Sequence, residues 1–132
     1  MGFLDFLSGG SPLQRNVRKV VNRDAQAEDR EAALHALASD GSREALEGIC
    51  ARFSMQLEHG MKDRREKDLA FDLLCAKGAA GADVAKRYAR SAATFAWPLR
   101  VVEAIEGPPA ATTVLLELLE RCLLYTSDAA DE

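Results

Sequence analysis

Histidine, cysteine, proline and the aromatics are scarce in this 132-residue chain, which holds two His, three Cys, four Pro and one Trp, with aromatics at 6%. Each shortage excludes something. His35 and His59 are too far apart for a His-x-x-x-His zinc pair, and Cys50, Cys75 and Cys122 stand in no metal-ligand spacing. No Gly-x-Ser-x-Gly elbow and no phosphate-cradling glycine loop occurs. Catalytic residues, cofactor-binding residues and metal ligands are therefore expected to be none, so the chain is read as no enzyme and as needing no cofactor. Cys50 and Cys75 have apolar neighbours and read as small buried thiols of a reducing compartment. Long apolar runs are missing too, since none approaches the ~20 residues that a membrane-spanning helix needs. Met1–Leu7 is apolar but short, carries Asp5 and lacks a basic flank, so no secretory leader is expected. Phe6 stands where a myristoylation signal wants Ser or Thr. A cytoplasmic protein is expected, with the 1–10 segment folding back over the first helices or serving as a weak anchor.

What the chain does have is alanine and leucine at helical spacing. Apolar residues make up 48% and charged residues 29%, a balance that supports a packed core rather than disorder. Ser11 and Pro12 mark the start of a helix over Pro12–Arg23. It sets Leu13, Val17, Val20 and Val21 against a basic face of Arg15, Arg18, Lys19 and Arg23, either a solvated surface or a meeting place for phosphates or an acidic partner. Three helical pairs follow, each broken by a glycine turn. The first is Glu28–Ala38 and Ser42–Phe53 around Gly41. The second is Asp63–Lys77 and Ala82–Ala93 around Gly78–Gly81. The third is Pro98–Glu106 and Ala110–Arg121 around Gly107-Pro108-Pro109. The helix holding Phe53 is expected to run on to about Glu58, with a loop at His59–Lys62. Trp97-Pro98 is expected to mark a boundary. Gly48 inside a helix points to the close approach of a neighbour. The fold class predicted is all-α, an α-solenoid of about three helical hairpins plus an N-terminal helix, in which each hairpin buries its apolar face against the next.

Residues 122–132, Cys122-Leu123-Leu124-Tyr125-Thr126-Ser127-Asp128-Ala129-Ala130-Asp131-Glu132, resemble the translation of a sequencing-library adapter. The resemblance implies a tail of non-native origin, a repeat domain over 11–121, and a native chain that continues past Arg121. Without Asp128, Asp131 and Glu132, the formal net charge of −4 rises to −1.

Arg30-Glu31-Ala32-Ala33-Leu34-His35-Ala36-Leu37-Ala38, followed by Ser42-Arg43-Glu44-Ala45-Leu46, resembles the bacterial HEAT repeat. Asp63–Arg90 and Pro98–Glu120 resemble it more loosely, so the likeness covers most of 26–121. It implies right-handed stacking in which second helices line a concave, protein-binding side, and it brings no catalytic residues. Arg43, Arg52, Lys86, Arg87 and Arg90 fall on those second helices as a candidate basic strip, or else pair with carboxylates such as Glu47 and Asp83. Trp97, with Phe95, sits at a repeat junction as a candidate hot spot or as a wedge between repeats. The expected function is a HEAT-like scaffold that binds another protein. The alternatives are a nucleic-acid-binding HEAT-like module using a basic groove, disfavoured by the near-neutral charge, and an accessory part of an enzyme such as a HEAT-like lyase. Self-association through Val114–Leu124 is expected from the exposed leucines of the last helix.

Overall fold

The computed structural model describes residues 10–91 and 94–130, with side chains through Leu124. Met1–Leu7 therefore lies outside the described residues. The described residues form seven α-helices and one 3-10 turn, with no strand among them. In chain order these are α1 (Pro12–Val20), α2 (Ala27–Asp40), α3 (Arg43–Ala51), the 3-10 turn (Arg52–Ser54), α4 (Gly60–Cys75), α5 (Ala79–Ser91), α6 (Ala96–Glu106) and α7 (Pro108–Ala130).

Helix starts follow local chemistry. The Ser11 hydroxyl accepts from the Gln14 N–H, and the Ser42 hydroxyl accepts from the Ala45 N–H at 3.2 Å, each satisfying an orphan donor of a first turn. His59, read as a loop residue, caps α4 instead, its Nδ1 accepting from the Lys62 N–H. Prolines open helices rather than separating them. Pro98 lies in the first turn of α6, and Pro108-Pro109 begin α7, positions where a missing N–H costs no helical hydrogen bond. The boundary expected at Trp97-Pro98 falls two residues earlier, at Phe95-Ala96, so Trp97 lies in the first turn of α6. Helix α7 runs without a break past Arg121 to Ala130.

The largest departure from the sequence reading lies between α3 and α4. The helix does not continue to Glu58. It stops at Ala51, tightens into the 3-10 turn, and Met55–His59 then runs without helix into α4, which begins at Gly60. Side chains take over the backbone groups that a helix would have paired. The Arg52 guanidinium donates to the Met55 carbonyl at 2.8 Å, and the Leu57 N–H donates to Asp63 at 3.1 Å.

Alternate helices are neighbours. Helix α2 packs on α4 and α4 on α6, while α1 packs on α3 and α3 on α5; α1 also meets α2, α5 meets α6, and α6 meets α7. One continuous apolar cluster runs through them, from Val20 through Leu34, Leu37, Leu46, Ile49 and Phe53 to Leu74, Val101 and Val102. Small residues allow the closest crossings. A Cβ on Gly48 would stand 2.7 Å from a Val17 methyl, so α1 lies against α3 with room for hydrogen only. Gly81, expected in a turn, is buried inside α5, where a Cβ would run into the Leu74 carbonyl oxygen at the end of α4.

That contact is with backbone, which cannot rotate away. Gly81→Ala is therefore expected to lower stability by about 1–3 kcal/mol, despite alanine's better helix propensity. Gly60→Ala, at the start of α4 with nothing within 4 Å, is expected to be neutral or stabilising. Denaturant midpoints of the two variants against the parent check both.

Candidate functional site

Five charged residues lie buried where the first two hairpins meet: Arg30, Arg52, Asp63, Glu66 and Lys67, each at most 7% exposed. Arg30, near the start of α2, holds Glu66 with a two-pronged grip, Nε to Oε1 at 2.8 Å and Nη2 to Oε2 at 2.9 Å. Its Nη1 donates to the Ala25 carbonyl at 2.6 Å, fixing the α1–α2 connection. Arg52 donates to Glu66 at 3.0 Å and to Asp63 at 2.9 Å. Lys67 reaches Asp63 at 2.8 Å and Gln56 at 3.1 Å. Charge-assisted, forked contacts of this kind are the strong class of hydrogen bond, and among the described residues no buried side-chain polar atom lacks a partner.

Burial pushes the Glu66 carboxyl up, but hydrogen bonds from Arg30 and Arg52, with their charges, outweigh it and hold the group below its ordinary 4.5. Burial opposes ionisation of Asp63 too, and hydrogen bonds from Lys67, Arg52 and the Leu57 N–H bring it below 3.8. Such carboxylates are poor general acids or bases at neutral pH, since they stay ionised and closed off from solvent. Burial also pushes the Cys50 thiol up to about 12 and raises Cys75, so neither is an activated nucleophile. No group of three or more His, Cys, Asp or Glu among the described residues is placed to hold a metal ion.

The structure separates the six residues singled out from sequence. Arg52 is fully buried in the ion cluster and cannot line an exposed strip, a correction that follows from the early end of α3. Arg43 and Arg87 do come together, across a shallow depression beside Leu46, Asp83 and Val84, with Arg43 paired to Glu47 at 3.4 Å. Lys86 pairs instead with Glu106 on α6, and Arg90 with Glu117 on α7 at 3.0 Å. Trp97 stands elsewhere, on the side formed by α4 and α6.

There Trp97 organises a groove of about 590 Å³ lined by Arg64, Asp68, Phe71, Arg100, Glu103, Ala104 and Pro108. Its ring stacks on Phe53 with centroids 5.6 Å apart and planes 8° from parallel, and it meets Phe71 edge-on at 6.5 Å. The Arg64 and Arg100 guanidiniums lie 5.2 and 4.6 Å from its centroid. Three aromatic side chains from separate segments thus meet at one place: Phe53 in the 3-10 turn, Phe71 on α4 and Trp97 on α6. Arg64 also holds Asp68 at 3.2 Å. Sequence reasoning missed both arginines. Arg100 was legible as the helical neighbour three residues after Trp97, whereas Arg64, from another helix, was not. The chain matches no known protein family, no curated protein and no solved structure.

Both cluster carboxyls titrate lower in the folded chain than unfolded, so protonation favours unfolding. Their contribution is complete above the ordinary values of 3.8 and 4.5 and is lost as pH falls through the lowered folded ones. Thermal melts should therefore fall steeply below about pH 4.5. Glu66→Gln should melt lower at pH 7 and show a shallower acid slope. Arg52→Met leaves two buried carboxylates short of a partner and should cost about 3–5 kcal/mol.

Proposed function

We propose that this chain is part of a HEAT-like α-solenoid, a cytoplasmic bacterial scaffold that binds another protein and performs no chemistry of its own. The neighbour pattern supports the architecture. First helices α2, α4 and α6 follow one another in one row, and second helices α3 and α5 in another, as stacked hairpins require. The Trp97 groove carries the functional reading. It joins the residue types that dominate protein-binding hot spots, Trp and Arg, in one concave and partly apolar place. The binding side is accordingly assigned to the first helices α4 and α6, rather than to the row of second helices.

Pairing among the candidate strip residues weighs against the nucleic-acid reading. Of the candidate cations, Arg52 is buried, while Arg43, Lys86 and Arg90 each face a carboxylate. A concentrated positive field, which phosphate binding needs, does not arise from cations so paired.

A photo-reactive amino acid in place of Ala104, inside the groove, should crosslink one discrete partner in cells. The same probe in place of Ala36, exposed on α2, should not, and Arg100→Glu should abolish the Ala104 product. Equal capture from both positions, or indifference to Arg100→Glu, would count against the groove.

A further inference from the structure

Phe53, itself 2% exposed, stacks on Trp97 from the core, and Trp97 is half-buried. The same ring meets two exposed guanidiniums, those of Arg64 and Arg100, at 5.2 and 4.6 Å from its centre. Like charges gathered on one indole repel, and their counter-ions are unequally shared. Arg64 holds Asp68, whereas Arg100 donates to no oxygen among the described residues; Glu103, three residues on, forms no ion pair with it. A guanidinium set over an aromatic face keeps its N–H edge for hydrogen bonding, and that edge matches both oxygens of a carboxylate. Phe71, Ala104 and Pro108 supply the apolar part of the same lining.

These features name the chemistry of the occupant. We infer that the groove takes a short segment of the partner in which a single Asp or Glu is flanked by aliphatic side chains. The carboxylate accepts from Arg100, beside Arg64, and the aliphatic neighbours settle on Phe71, Ala104 and Pro108. A basic segment is disfavoured by the two guanidiniums already on the ring. An unbroken acidic run is disfavoured as well, because its further carboxylates meet Asp68 and Glu103 on the rim. The partner's carboxylate also relieves the repulsion between Arg64 and Arg100, a gain that a purely apolar segment lacks. Position in the fold keeps the groove open. It lies between the consecutive first helices α4 and α6, so a further hairpin stacked beyond α7 does not cover it. The inference rests on the docking reading of this groove and specifies what docks.

Random peptides displayed on phage and selected on the full chain test this. The expected consensus is one acidic residue beside Leu, Ile, Val or Met. A synthetic copy of an enriched peptide should shift the fluorescence of Trp97, the one tryptophan in the chain. Arg100→Gln, at an exposed position, should melt as the parent does. It should weaken that peptide by about tenfold or more, the worth of one hydrogen bond to a charged group. Replacing the acid in the peptide by its amide should cost as much, and the two changes together should cost no more than either alone. A basic or uncharged consensus, no consensus at all, unchanged Trp97 fluorescence, or losses that add would each overturn the proposal. Crosslinking from Ala104 that persists beside such a result keeps the docking surface and removes only the acidic segment; loss of that crosslink as well removes both.

Discussion

The rest of this structure depends on the ion cluster closed between the first two hairpins. Five charges from α2, the 3-10 turn and α4 are removed from water together, an arrangement that is favourable only when every one of them is satisfied. The cluster fixes more than its own members. Through Ala25 it holds the α1–α2 connection, and through Met55, Gln56 and Leu57 it holds the non-helical stretch that leads into α4. A chain segment with few apolar side chains is thus ordered by hydrogen bonds that begin in the core.

The aromatic contact at Trp97 extends this order to the third hairpin. Phe53 directly follows Arg52, so the residue that anchors the ion cluster also sets the ring on which Trp97 stacks. Helix α6 is then positioned by α4 on one side and by α5 on the other. The groove between α4 and α6 takes its shape from these placements: its floor is aromatic, and its rim is formed by Arg64, Asp68, Arg100 and Glu103. A surface held in this way is preorganised, which lowers the ordering cost of any partner that docks there.

Much of the fold was legible because it rests on local signals. The Gly41 turn, the Ser42 cap and the apolar spacing of Leu34, Leu37, Leu46 and Ile49 all follow from neighbours within a few residues, and a glycine at 48, inside a helix, by itself marks a close approach. What escaped the sequence depends on partners distant along the chain. Arg52 continues a helical pattern, and nothing nearby marks it as buried; its reason, Asp63 and Glu66, lies 11 and 14 residues away. Arg30 reads as a surface residue until Glu66, 36 positions on, is set against it. Pro12 and Pro98 were legible as helix starts, whereas Pro108-Pro109, read as a turn, begin α7, since a ring that cannot continue one helix serves equally well to begin another. The Trp97 site was half legible: the tryptophan is conspicuous by its rarity, but the arginine from α4 reaches it only through tertiary packing.

The uneven placement of charge gives the domain a mechanical polarity. All the buried charged residues among those described belong to the first two hairpins, whereas the third is attached through rings and aliphatic side chains such as Trp97, Val101 and Val102 and through the partly exposed pairs Lys86–Glu106 and Arg90–Glu117. Apolar packing yields by degrees as surfaces slide apart, but a closed set of ion pairs opens at once, because the first broken contact strands the remaining charges. Tension drawn from the C-terminal side would therefore peel the third hairpin away compliantly and then meet a brittle clamp, so the chain resists a load differently from its two ends.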